Sequence, residues 1–260
     1  MLPSVETLKG AGYTLIDWYK ASLLGYKDEL LKISRIVTAD AYFSVKPFAD
    51  GLADAGFCLI SRFRSNVNLK YLYTGPKTGK RGAPRKYDGT IDVKNPDTSR
   101  METVDTPFDD GRYYTLVAYA SALKRMVRLV LFYPAGGSAC KIYFSTDTDI
   151  PAADIVEYYR CRFQIEFCFR NSKQFVGLCD CQSRSIEKLD FHFNASFTAL
   201  NVAKICIHKH YPSLGIMGLK SLLYNTYIVQ RFIGRYGRIS NRSLNGQIVK
   251  ELFSIAAPAA

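Results

Sequence analysis

Tyr159, Arg162, Glu166 and Lys173 follow one another at intervals of 3, 4 and 7 residues. On an α-helix, at about 100° per residue, they fall at roughly 0°, 300°, 340° and 320°, with Arg170 near roughly 20°. The spacing predicts a single stripe, about 21 Å long, that carries a phenol, two guanidiniums, a carboxylate and an ammonium. Glu166 is the only acid on it. A lone carboxylate among cations suits phosphoryl transfer, which needs hard oxygen ligands for a divalent metal and positive groups to hold the strands. The alternative is a solvated face with i,i+4 ion pairs, for which Arg162–Glu166 and Glu166–Arg170 have the right spacing.

Composition narrows the partner. The 260 residues are 48% hydrophobic and 13% aromatic, which supports a packed core rather than disorder. The formal net charge is +12. Such a charge speaks of partners, and nucleic acid is the commonest polyanion. No window approaches the ~18–20 apolar residues of a membrane span, and no signal sequence opens the chain, so a cytoplasmic location is the default. The seven cysteines are odd in number and scattered, which fits reduced thiols. Cys179 and Cys181 lie near His192, but no second cysteine pair at finger spacing supports zinc.

Several elements must position these groups. Residues 13–31 read as a helix, 33–39 as a buried strand ending at Asp40, 47–55 as a helix and 57–63 as a strand. Strand, helix, strand is the α/β alternation of a mostly parallel sheet. Asp40 then falls at a strand's C-terminal end, where catalytic groups gather, although Asp also caps turns there. Residues 75–112 are rich in Gly, Pro and charge, and 113–122, 126–133 and 141–145 read as strands. A β-rich insertion over 65–148 thus separates a core segment, 1–64, from core helices in 149–212 and a C-terminal helical region in 213–260. The helices are expected at 151–175, 185–208 and 219–233. The basic stretch 75–86 offers Arg81, Arg85 and Lys86 to DNA phosphates, or is a solvated loop.

The spacing Y-x2-R-x3-E-x6-K, complete at Tyr159, Arg162, Glu166 and Lys173, resembles the signature of the bacterial insertion-sequence DDE transposases of the type-four family. "TADAYFS" (Thr38 to Ser44) resembles the strand that ends in that family's second catalytic Asp. "RGAPRKYDG" (Arg81 to Gly89) resembles its Gly-Arg-Pro-rich loop, with Ala83 departing from the usual Arg. The resemblance implies an RNase H-like catalytic core with a β-rich insertion and C-terminal helices. It implies Asp40 and Glu166 as catalytic carboxylates that, with a first Asp, bind two Mg²⁺ ions for DNA cleavage and strand transfer. Tyr159, Arg162 and Lys173 would then bind DNA, with Arg170 beside them on the stripe, and the partners would be double-stranded transposon ends and target, held in a synaptic homodimer.

The same resemblance places a first Asp on a strand well upstream of the second. Only 39 residues precede Asp40, and they read as a loop and a helix. Asp17 is the sole early candidate with apolar neighbours. The expectation is therefore an N-terminally truncated copy whose core lacks its opening strands, either retaining transposase chemistry or surviving as a catalytically inactive DNA-binding remnant.

Overall fold

The structure is a computed structural model that describes residues 7, 10, 12–76, 83–108, 110–137 and 139–236. It divides into two compact units, Met1–Phe163 and Gln164–Ala260.

The first unit opens with helix α1 (Leu15–Leu24). Thr14 and Asp17 form a capping box: the Thr14 hydroxyl accepts from the Asp17 amide, and the Asp17 carboxylate accepts from the Thr14 amide. Asp17 is thereby occupied as a cap. The helix expected to reach residue 31 stops at Gly25, and a short α2 (Lys27–Leu31) follows. Strand β1 (Ile36–Thr38) leads to Asp40 and a 3₁₀ turn (Ala41–Phe43), then α3 (Lys46–Asp54), which carries Pro47 in its first turn. Gly56, at φ +90°, takes the left-handed conformation that turns the chain into β2 (Cys58–Phe63).

The remaining strands are β3 (Leu69–Leu72), β4 (Tyr87–Thr90), β5 (Glu102–Thr103), β6 (Gly111–Ala120), β7 (Arg125–Pro134) and β8 (Lys141–Ser145). They form one sheet in the order β1-β2-β8-β7-β6-β3-β4, with β5 on β6. The strands of the expected insertion extend the same sheet as β1 and β2, because β2 pairs with β8. The expectation of a mostly parallel sheet is corrected: among the described residues β1 and β2 alone are parallel, and every other pairing is antiparallel. The helical crossover α3 permits the parallel pair, whereas the short links between β6, β7 and β8 permit only antiparallel ones.

Alternation along β2 sends Leu59 and Phe63 to one face and Cys58 and Ile60 to the other. The first face packs under α1 and α3, where Phe63 and Phe144 stack with centroids 4.0 Å apart. The second face receives α4 (Ala152–Cys161). Its buried residues, Ala152, Ile155, Val156 and Tyr159, recur at i, i+3, i+4 and i+7, the stripe of an amphipathic helix.

A single helix from 151 to 175 is not what forms. Helix α4 ends at Cys161, and α5 (Gln164–Phe175) begins after Arg162 and Phe163. The amides of Arg162 and Phe163 bond three residues back, to Tyr159 and Arg160, each at 3.2 Å, and this tighter 3₁₀ pattern breaks the α-helical ladder. The continuous stripe expected from Tyr159 to Lys173 is therefore divided.

The second unit holds α5, α6 (Ile186–His210) and α7 (Ile216–Tyr236). Phe169 and Phe197 meet edge to face at 5.7 Å, and the His192 ring hydrogen-bonds the Gly177 carbonyl at 2.8 Å. No helix among the described residues is long and apolar enough to cross a membrane.

Phe144 is fully buried, so Phe144→Ala should cost about 3–5 kcal/mol in a urea denaturation series. Met126→Ala, at an exposed position, should stay within about 0.5 kcal/mol.

Candidate phosphate-binding site

Asp40 lies two residues beyond Thr38, which is in parallel register with Ile60. Continued by two residues, that register sets Asp40 level with Arg62 on β2. A serine pair holds the two backbones together. The Ser61 hydroxyl donates to the Asp40 carbonyl at 2.8 Å, the Ser44 hydroxyl donates to the Arg62 carbonyl at 2.8 Å, and the two hydroxyls are 2.9 Å apart. Ser61 is fully buried, and its paired hydroxyl carries no unmet desolvation cost. The Asp40 side chain is exposed, and its Oδ1 accepts from the Tyr42 amide at 2.8 Å. Asp40 is thus both a turn cap and a strand-end carboxylate.

Arg62 faces Tyr143 across the β2–β8 pair, on the face that α4 covers. Tyr143 in turn packs on Tyr159, with ring centroids 4.8 Å apart. Tyr159 is 6% exposed, the last member of the apolar stripe of α4 rather than part of a solvated face. The Arg162 guanidinium sits 5.7 Å from its ring centroid. Burial pushes the Tyr159 phenol above its ordinary value; the charges of Arg62 and Arg162 oppose that rise, and the charge of Asp40 adds to it. Two guanidiniums, a neutral phenol and a carboxylate therefore share one electrostatic environment.

Neighbouring contacts fix α4 in place. The Arg160 guanidinium donates to Asp110 and, at 3.0 Å, to the Tyr113 hydroxyl, and it covers the Phe108 ring at 3.6 Å. The Tyr113 hydroxyl donates to Asp110 at 2.7 Å. Burial works to raise the Asp110 carboxyl, but these two donors hold it below its usual range.

The other expected residues belong to other segments of the chain. Glu166, Arg170 and Lys173 lie on α5 in the second unit, all exposed, with Glu166 in the first helical turn and Lys173 in the last. Arg170 rests on the Phe167 ring at 4.7 Å. Arg85 is engaged by Asp88, by the Tyr87 carbonyl at 3.0 Å and by the Tyr73 ring at 4.8 Å. Lys86 is exposed, and Arg81 lies outside the described residues. Arg62 was not anticipated. An arginine inside the apolar run FCLISRF was the available signal, but only the register with β1 shows that it lies level with Asp40.

No group of three or more His, Cys, Asp or Glu side chains converges among the described residues. A two-metal centre needs such a set. The Asp40 carboxylate accepts from the Tyr42 amide, and one carboxylate does not make such a site on its own.

A family model described as "Transposase DDE domain" matches residues 14–202. The chain belongs to the transposase DDE domain family. No curated relative matches it. Membership in the DDE family makes DNA the substrate and gives the Asp40 edge its context: the match spans Asp40, Arg62, Tyr159 and Arg162 as well as Glu166 and Lys173.

Burial also raises the phenol of Tyr143, to about 12, with Tyr113 and Tyr159 adding to the shift. For both Tyr143 and Tyr159 the folded chain holds the proton more tightly than the unfolded chain. Their contribution is complete below the ordinary tyrosine value near 10 and is lost as pH rises through the raised ones. Denaturation midpoints should therefore fall as pH rises from 10 towards 12. A Tyr143→Phe/Tyr159→Phe double variant should show a shallower fall; an identical fall would contradict the assignment.

Proposed function

We propose that this chain acts on DNA as a transposase of the DDE type, gripping a phosphodiester beside Asp40. The observation that carries this reading is the grouping of Asp40, Arg62, Tyr159 and Arg162 at one sheet edge, within the region that matches the family. Guanidiniums bind phosphate oxygens through planar, charge-assisted hydrogen bonds. A phenol kept neutral by burial donates a hydrogen bond without adding negative charge. A bare carboxylate beside a phosphate repels it, and Arg62 and Arg162 offset that repulsion.

In this reading the core is RNase H-like, the substrate is double-stranded DNA at the ends of a mobile element, and the working form is a homodimer in the cell's nucleoid. Asp40 and Glu166 are two of its catalytic carboxylates, and Arg170, Lys173, Arg85, Lys86 and Arg81 add further DNA contacts. Mg²⁺, held by such carboxylates, would supply Lewis-acid stabilisation of the oxygen that leaves phosphorus. No group of three or more His, Cys, Asp or Glu side chains converges among the described residues, and this favours a second reading: a DNA-binding remnant that occupies transposon ends without cutting them.

The two readings separate in one assay with Mg²⁺ and duplexes from the ends of the element that carries the gene. Under the first, the chain nicks the duplex, and Asp40→Asn or Glu166→Gln abolishes nicking while retaining binding. Salt-sensitive binding without nicking assigns the remnant. Arg162→Ala should weaken duplex binding by about tenfold under either, the loss of one charge-assisted phosphate contact. A chain that binds no duplex contradicts both.

A further inference from the structure

The Asp40 edge continues into an open groove of about 640 Å³ that runs over Ala41 and the ends of β2 and β8. Arg62, Arg64 and Lys141 line it, with Ser65 and Asn66 as neutral polar groups and no acidic side chain. All three cations are exposed. Five other arginines of the unit have acids: Arg35 has Asp147, Arg85 and Arg100 share Asp88, Arg125 has Asp50 and Arg160 has Asp110. None of the three groove cations enters an ion pair among the described residues.

Strand geometry gathers them. Lys141 and Tyr143 alternate onto one face of β8, and Arg62 opposes Tyr143. The Lys141 ammonium lies 5.4 Å from the centroid of the Phe132 ring, which also packs on that face. Arg64 follows β2 directly. Three like charges in a concave surface without acids repel one another and focus a positive potential. A polyanion relieves that repulsion. The aromatic ring in the lining, Phe63, is buried, so the groove offers cations and amides rather than a stacking platform, which suits contact with a backbone rather than with bases.

We propose that this groove carries the DNA backbone past Asp40, with Arg64 and Lys141 contacting phosphates beyond those held at Arg62 and Arg162. The proposal rests on the DNA reading above and adds the direction in which the strand leaves the site.

The test is the salt dependence of binding to a mixed-sequence duplex of about 30 base pairs, where each lost phosphate contact lowers the slope of log K against log salt by about 0.9. Arg64→Ala/Lys141→Ala should lower the slope by about 2. Lys32→Ala/Lys94→Ala removes the same charge from exposed positions outside the groove and should leave the slope unchanged. Equal changes in the two double variants, or none in either, overturn the groove while the DNA reading stands. An unaltered chain that fails to bind the duplex overturns the DNA reading, and the groove with it. Both substituted pairs are exposed, so unchanged thermal melting will show that the slopes report on binding.

Discussion

The seating of α4 on the sheet is the constraint on which the site depends. Ala152, Ile155, Val156 and Tyr159 bury against Cys58, Ile60, Val130 and Tyr143, and the helix can sit in only one rotation if all four are to leave water. That rotation brings the phenol of Tyr159 over the strand that neighbours Arg62. Hydrophobic packing thus sets the position of a polar group. The Arg160–Asp110–Tyr113 network resists sliding along the helix axis, because a shift would leave partly buried charges without partners.

Asp40 reaches the same place by another route. The parallel pairing of β1 with β2 puts two strand ends side by side, and Ser44 and Ser61 tie their carbonyls together. A parallel pair has both C-terminal ends at one edge, which is why a carboxylate and an arginine can lie level there. The Asp40 carboxylate, bonded to the Tyr42 amide, is held by the turn that follows while remaining open to solvent.

The sequence carried the element types well, because each was written in a local period. The alternation in β2, the i, i+3, i+4 pattern of α4 and the long β6 and β7 runs were legible within a few residues of their ends. Three features were not. The strands β4 and β5 lie in a region poor in apolar residues and β3 is only four residues long, and all three are fixed by pairing with the long β6 or with one another. The break after Cys161 arises in two residues, Arg162 and Phe163, that have no helix-breaking chemistry of their own, so spacing alone suggested one stripe where there are two segments. Arg62 was hidden because its role depends on a neighbour 22 positions away, and register across strands is a tertiary property. Tyr159 shows the converse: its spacing from Arg162 and Glu166 was plain, whereas its burial came from the apolar stripe it completes.

The central claim is that α4 delivers Tyr159 into the joint field of Asp40, Arg62 and Arg162. The most direct measurement is the titration of 3-fluorotyrosine at position 159, followed by fluorine NMR in the otherwise unaltered chain and in two variants. Asp40→Asn should lower the phenol's pKa and Arg62→Gln should raise it, because the carboxylate disfavours the phenolate and the guanidinium favours it. A phenol whose titration ignores both substitutions, or moves in the opposite directions, would contradict the account.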